Sequence, residues 1–210
     1  FSGEGRFYGF DCFRSSQTDE LAGSIIMAVR RYCSENTSPE KLVIHFYKTL
    51  SKKELKPIEM GLARLGLKIP VVVVSVNKSF SQDVLGFDTD SEHLMPASYS
   101  YIPVSRTQYL LYNNSLTDAN TWEPPRRFPF PMKVSLQYFA AGSDVSTQPE
   151  HDMTVELLSQ ICGFSQLYWK SVSTQSLPVT IRYPEMLAQI VPNFGNAEIP
   201  GAGRERLWFL

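Results

Sequence analysis

The fold is decided by residues 41–78, which read KLVIHFYKTLSKKELKPIEMGLARLGLKIPVVVVSVNK. The segment opens with a short apolar run at 41–46 and closes on four consecutive valines, as expected of strands buried on both faces. Between these runs, Ser51 and Glu54 have the spacing of a capping box that begins a helix, and Gly66 is placed to end it. The apolar stripe of this helix consists of Leu55, Ile58, Leu62 and Leu65. The order strand, helix, strand predicts a parallel pair with a right-handed crossover in an α/β sheet.

The flanking sequence predicts further elements around this unit. Strands are indicated at 7–13, 69–76, 99–104, 107–112 and 132–139, and helices at 18–34, 153–164 and from near Pro184 onward. A Pro-rich stretch at 122–131, WEPPRRFPFP, predicts a long loop before the last of these strands. The middle of the chain is therefore expected to add β-hairpins and long loops to an α/β core.

The composition is typical of one globular domain. The chain has 210 residues, of which 43% are hydrophobic and 12% aromatic, enough for one sizeable core. Its formal net charge of -1 gives no general sign of nucleic-acid binding, although a local basic groove is compatible with a neutral chain. His45 lies inside an apolar run and is expected to be a hydrogen-bonded core residue rather than a metal ligand.

The cysteines and the hydropathy pattern indicate a cytoplasmic protein. Cys12, Cys33 and Cys162 are far apart and lack metal-ligand spacing, so we expect free thiols in a reducing compartment. No apolar run reaches the roughly 18 residues of a membrane span, and no signal peptide is recognisable, so we expect no membrane partner. Because Phe1 is not an initiator methionine, we expect further residues upstream.

Three segments together resemble one family. They are the fold-deciding stretch at 41–78, residues 168–191 with the sequence YWKSVSTQSLPVTIRYPEMLAQIV, and the terminal LWFL at 207–210. They resemble the PIWI domain of Argonaute proteins, and LPVTIRYPEMLA with the WFL end resembles short, catalytically inactive prokaryotic Argonautes most. The resemblance implies an α/β, RNase H-like fold with a mixed central sheet, flanking helices and inserted hairpins. It also implies that residues 1–210 are the C-terminal portion of a PIWI domain, with the MID domain and the first PIWI strand upstream.

The resemblance locates the positions that a nuclease would need. Argonautes that cut their target hold two divalent metal ions between carboxylates. One of these carboxylates belongs to the aspartate of an Arg-Asp-Gly turn. The matching positions here are Phe46-Tyr47-Lys48, and a phenol, protonated at neutral pH, is a poor Mg²⁺ ligand. The fourth metal-ligand position of the family falls on Glu185. The alternative interpretation of Glu185 is a solvated glutamate in the first turn of a helix, where the helix dipole favours a negative charge. By its spacing, Asp11 lies near the position that the catalytic glutamate takes in the family. We therefore expect no catalytic residues in this chain.

The resemblance also implies residues that bind a guide. The resemblance implies that the terminal carboxylate of Leu210 helps to hold a Mg²⁺ at the guide 5′ phosphate. A hard cation can be coordinated by oxygens of both the carboxylate and the phosphate. Contacts to the guide backbone are implied for Lys170, Ser176 and Arg182. Weaker candidates for lining the duplex channel are Lys78, Lys48, Lys52 and Lys53.

The function implied is guide-dependent nucleic-acid binding without cleavage. A 5′-phosphorylated guide RNA would recognise a single-stranded DNA target and activate an APAZ-containing effector, bearing a TIR, sirtuin-like or nuclease domain, in prokaryotic defence. The alternative is a guide-directed endonuclease with a reduced metal site formed by Asp11 and Glu185. A third reading is an α/β interaction domain that binds no nucleic acid.

Overall fold

The computed structural model of the chain describes residues 1–2, 5–10, 18–78, 85–90, 92, 94, 96–113, 131–143, 145–168 and 177–194, apart from a few side chains at the edges of these ranges. Within them the chain forms four α-helices and six β-strands. In order these are α1 (Thr18–Glu35), β1 (Leu42–Phe46), α2 (Lys52–Arg64), β2 (Val71–Lys78), β3 (Ser100–Pro103), β4 (Gln108–Tyr112), β5 (Met132–Phe139), β6 (Ser146–Thr147), α3 (His151–Gln166) and α4 (Val179–Ile190), followed by a 3₁₀ turn at Val191–Phe194.

The strands form a six-stranded mixed sheet in the order β1-β2-β5-β4-β3, with β6 paired to β5. β1 and β2 run parallel, with Leu42 opposite Val71 and Phe46 opposite Ser75. All other pairs are antiparallel, and the longest joins β2 to β5 along the whole of both strands. The predicted parallel β1-α2-β2 unit and the predicted β3-β4 hairpin are therefore confirmed.

The core lies on both faces of the sheet, and β2 is at its centre. Val72, Val74 and Val76 are at most 2% exposed and pack with the apolar side of α3. Val71 and Val73, equally buried, point to the other face, where α1 and α2 cover them. A continuous valine run suits this strand because both of its faces are covered, so that every valine side chain is removed from water. Burying one such side chain stabilises the fold by about 1.5–3 kcal/mol.

Local signals place the ends of α2 as the sequence predicts. The Ser51 backbone N–H and hydroxyl both donate to the Glu54 carboxylate, at 2.9 and 2.8 Å. At the other end Gly66 has a φ of +74°, a conformation that side chains with a Cβ adopt rarely, and the chain turns toward β2. In the last turn of α2, Gly61 lets α1 approach closely, because a Cβ there would lie 2.4 Å from Ile26 Cγ1.

Two sequence predictions are wrong. Residues 7–10 of the predicted strand at 7–13 are irregular, although Tyr8 packs edge-on against Tyr32 of α1; residues 11–13 lie outside the described ranges. Helix α4 begins at Val179, capped by Pro178, and not near Pro184, which lies inside it. The earlier start is stabilised by tertiary packing, because Val179 and Tyr183 are buried against Phe164 of α3.

Candidate nucleic-acid interface

The carboxyl end of β1 is flanked by the first turns of two helices. His45 Nδ1 lies 2.7 Å from Thr180 Oγ1, in the first turn of α4. Lys48, just beyond β1, places its Nζ 2.8 Å from Glu54 Oε1, in the first turn of α2. Open α/β sheets bind ligands beyond the carboxyl ends of their strands, and helix N-termini carry partial positive charge. This end of the sheet is therefore suited to an anionic ligand.

Lys48 and Glu54 form a fixed ion pair at this end. The hydrogen bond from Lys48, with those from the Ser51 N–H and hydroxyl, lowers the pKa of Glu54 to about 2. The bond to Glu54 in turn raises the pKa of Lys48 above its ordinary value. Both groups therefore stay charged throughout the neutral range. The Lys48 side chain is 47% exposed and that of Glu54 only 17%, so the ammonium is the more accessible partner.

Tyr47 presents an accessible aromatic ring beside this ion pair. It is 61% exposed, and its ring centroid lies 4.7 Å from that of Phe46. The Lys48 Nζ is 6.0 Å from the centre of the Tyr47 ring, within range of a cation–π attraction. Residues 46–48 thus offer an aromatic surface and a cation, and none of the three side chains is a carboxylate. Among the residues that the structure describes, no group of three or more His, Cys, Asp or Glu side chains is placed to hold a metal ion.

His45 is a largely buried core residue, as its place in an apolar strand predicts. Its ring meets that of Phe164 edge-on at 5.5 Å, while Nδ1 bonds with Thr180. Burial lowers the pKa of His45 to about 4. The imidazole is therefore neutral at physiological pH and joins β1 to α4.

Arg182 is the one predicted guide-contact residue whose side chain the structure describes. Its Nη1 lies 3.1 Å from Glu185 Oε2, and the two side chains are 33% and 38% exposed. The Arg182 Nε is buried and finds no hydrogen-bond acceptor within the described part of the chain. The guanidinium is thus only partly satisfied, and Glu185 has a positive charge beside it.

The other predicted site residues fall outside the described residues or have side chains that are not described. Lys170, Ser176 and Leu210, together with Asp11, lie outside the described residues. Lys78 is the last residue of β2, at the same end of the sheet as Lys48, but its side chain is not among those described. Of the predicted site, the structure therefore brings together β1, α2 and α4.

Sequence reasoning missed the contact between His45 and Thr180. The two residues are 135 positions apart, and no local pattern links them. The Lys48–Glu54 pair had a partial signal, because the capping box already placed Glu54 in the first turn of α2. The orientation of that carboxylate toward Lys48 depends on how the chain leaves β1.

Solved structures share this fold. The Argonaute protein from Methanocaldococcus jannaschii in complex with guide DNA matches 90% of this chain with a TM-score of 0.59 at 11% identity. Aa-Ago with externally bound siRNA matches 90% of it with a TM-score of 0.52 at 14% identity. Identities this low establish the fold alone. The expected fold class, a mixed α/β sheet like the RNase H-like PIWI region of Argonautes, is confirmed.

The likeness has defined limits. The chain spans 24% of the first Argonaute and 23% of the second, so the activities of those whole proteins do not transfer with the fold. No family model matches the sequence, and no curated protein matches it. Among the described residues, none of the helices combines the length and apolarity that crossing a bilayer requires.

Proposed function

We propose that residues 1–210 form the C-terminal portion of a PIWI domain in a short, nuclease-inactive prokaryotic Argonaute. Its function would be to bind a guide strand and, through the guide, a complementary target. The observation that carries the proposal is the end of β1, where an exposed Tyr47 and a paired Lys48 stand where the resemblance expects a metal-bridging carboxylate. The shared Argonaute fold supports it.

Guide anchoring is proposed for α4 and for the segments on either side of it. Arg182 supports this, because its buried Nε needs an acceptor and a phosphate oxygen is a strong one. Lys170, Ser176 and Lys78 would contact further phosphates, which fix the register of the guide without reading its sequence. The Leu210 carboxylate would share a Mg²⁺ with the guide 5′ phosphate, because Mg²⁺ prefers oxygen ligands and both groups supply them.

In this proposal the chain binds nucleic acid and a partner protein supplies any catalytic activity. The guide would be a 5′-phosphorylated RNA and the target a single-stranded DNA, with sequence read by base pairing. Recognition would activate an APAZ-containing partner in the cytoplasm, carrying a TIR, sirtuin-like or nuclease domain, as prokaryotic defence. The family resemblance supports this step, and the fold supports only the binding half.

Binding and cleavage assays on the full-length protein test the proposal. The protein is titrated with guide RNAs that differ only in a 5′ phosphate or 5′ hydroxyl, and then with labelled DNA targets in Mg²⁺ or Mn²⁺. We expect tighter binding of the phosphorylated guide, retention of the complementary target, and an intact target strand.

Two outcomes would contradict this reading. Guide-directed cleavage that is lost in Asp11→Ala and Glu185→Ala would favour the endonuclease with a reduced metal site. Equal and weak binding of both guides, with no preference for a complementary target, would favour an α/β interaction domain that binds no nucleic acid.

A further inference from the structure

We infer that the surface groove between α1 and α2 is a docking site for an acidic amphipathic helix of a partner protein. We call this feature the α1–α2 groove. Helices α1 and α2 cover one face of the sheet, whereas α3, with α4 packed against it, covers the other. The groove therefore lies away from α4, and its occupation goes beyond the proposed function and does not depend on guide binding.

The α1–α2 groove has the dimensions of a short helix. It has a volume of about 690 Å³ and is open to solvent. Its apolar lining is formed by Ala22, Gly23, Ile26, Pro57, Met60 and Leu65. Along α2 the groove runs from Lys53 to Leu65, a rise of about 18 Å in an α-helix. A trough this long and open fits one face of a helix of three turns, whereas small molecules bind in clefts that bury most of their surface.

Two glycines give the groove its shape. Gly61 brings α1 and α2 into contact, because a Cβ there would lie 2.4 Å from Ile26 Cγ1. At Gly23, on the α1 side of the groove, an added Cβ would meet no atom within 4 Å. Packing against the described residues thus gives no reason for glycine at position 23, where alanine has the higher helix propensity. The open space beside Gly23 can accept a side chain from an incoming helix.

Two exposed methionines extend the apolar surface of the groove. Met60 lines the groove and is 49% exposed, and Met27, one helical turn after Gly23 in α1, is 67% exposed. Scattered exposed apolar side chains are ordinary, but these two adjoin a groove whose lining is already apolar. Methionine is flexible and polarisable, and it adapts to the side chains of a partner. A docked helix would bury both side chains.

The charged residues of the groove select an acidic occupant. Its charged lining residues are Lys53, Lys56 and Arg64, and the described lining includes no acid. None of these three cations forms an ion pair with another described residue. Lys56 and Arg64 lie about 12 Å apart along α2, toward opposite ends of the groove. A helix with carboxylates on both sides of an apolar stripe would pair with these cations, whereas a basic helix would be repelled.

Fluorescence anisotropy with the full-length protein and two synthetic peptides tests the charge preference. Both peptides have about 16 residues, enough for partial helicity, with leucines at i, i+3, i+4 and i+7. One carries glutamates beside this stripe and the other carries lysines. We expect the acidic peptide to bind about tenfold more tightly. Lys56→Glu should weaken its binding about fivefold, and the double variant Lys56→Glu with Arg64→Glu should prefer the basic peptide. Equal affinity of the wild-type protein for both peptides, or an unchanged preference in the double variant, would overturn the inference.

Gly23→Trp tests the groove itself by filling it. We expect this variant to weaken binding of the acidic peptide about tenfold, because the indole occupies the space of an anchoring side chain. Gly163→Trp is the matched control: Gly163 is a helical glycine in α3 whose added Cβ also meets no atom within 4 Å. Its affinity for the peptide should equal that of wild type. Thermal unfolding of both variants checks the fold, and if Gly23→Trp is unfolded, Lys56→Glu decides. Equal affinities of two folded tryptophan variants would show that the peptide binds elsewhere.

Three parallel measurements address other occupants of the groove. Vesicles containing phosphatidylserine and a bare single strand of DNA are titrated with wild type, Gly23→Trp and Lys56→Glu, and sedimentation of the protein alone measures self-association. We expect the substitutions to change none of these. If they reduce vesicle or DNA binding and leave peptide binding intact, the groove binds a membrane or nucleic acid, and the helix is rejected. A dimer lost in Gly23→Trp would assign the groove to a second copy of the chain and reject it equally. All of these assays use protein without guide, so their failure leaves the proposed function standing.

Discussion

Acidification should destabilise the folded protein through His45. The pKa of this buried imidazole falls from 6.5 to about 4, mainly because burial disfavours the charged form. The folded state therefore binds the proton less readily than the unfolded state, and stability falls as pH drops from 6.5 toward 4. Above that window His45 is neutral in both states and has no effect; below it the loss is complete.

The magnitude follows from the size of the pKa change. At about 1.4 kcal/mol per pKa unit the complete loss is about 3 kcal/mol, and about 2 kcal/mol is reached at pH 5. The His45 side chain is not fully enclosed, so these values are upper limits. A loss of this size is a large fraction of the 5–15 kcal/mol that stabilises a typical domain.

Urea unfolding at pH 8 and pH 5 measures the effect, with His45→Asn as the comparison. Asparagine does not titrate, and its amide can still bond with Thr180, so other acid-sensitive groups cancel between the two proteins. We expect wild type to lose about 2 kcal/mol more than His45→Asn between the two pH values. Identical pH dependence in wild type and His45→Asn would show that protonation of His45 does not destabilise the fold.

Three further predictions concern packing and guide binding. Gly61→Ala should lower the free energy of unfolding by about 1–3 kcal/mol in thermal unfolding, because the new Cβ meets Ile26. Gly23→Ala, with open space around the Cβ, should raise it by up to about 1 kcal/mol. Equal effects of the two substitutions would contradict the close approach of α1 and α2. Residues added after Leu210 should weaken binding of a 5′-phosphorylated guide but not of a 5′-hydroxyl guide, and unchanged affinity for both would remove Leu210 from the pocket. Arg182→Ala should weaken guide binding about fivefold for every guide sequence and reduce its salt dependence; a loss confined to some sequences would argue against a phosphate contact.

The central unit of the fold could be predicted because its signals are local. The capping box at Ser51, the apolar stripe of α2, Gly66 and the valine run each act over a few residues, and each occurs where the structure has it. The bounds of β5, Met132–Phe139, also agree with its alternating pattern. The start of α4 was misplaced because buried contacts of Val179 and Tyr183 outweigh the preference of Pro184 for a first turn.

The candidate site was predictable only in part. The absence of an acid at residues 46–48 and the capping role of Glu54 can be read from the sequence. Their arrangement cannot, since the Lys48–Glu54 pair depends on the path of the chain beyond β1. The same holds for the exposed fraction of Tyr47, which depends on what packs around the end of the strand.

Local sequence signals are enough to place the strands and the helix of the β1-α2-β2 unit, because capping, periodicity and glycine geometry operate between near neighbours. Long-range packing, in contrast, pairs β5 with β2 and joins His45 to Thr180, which brings α2 and α4 to one end of β1. Those contacts join residues far apart in the chain, and they form where burial and hydrogen bonding outweigh the entropy of closing long loops.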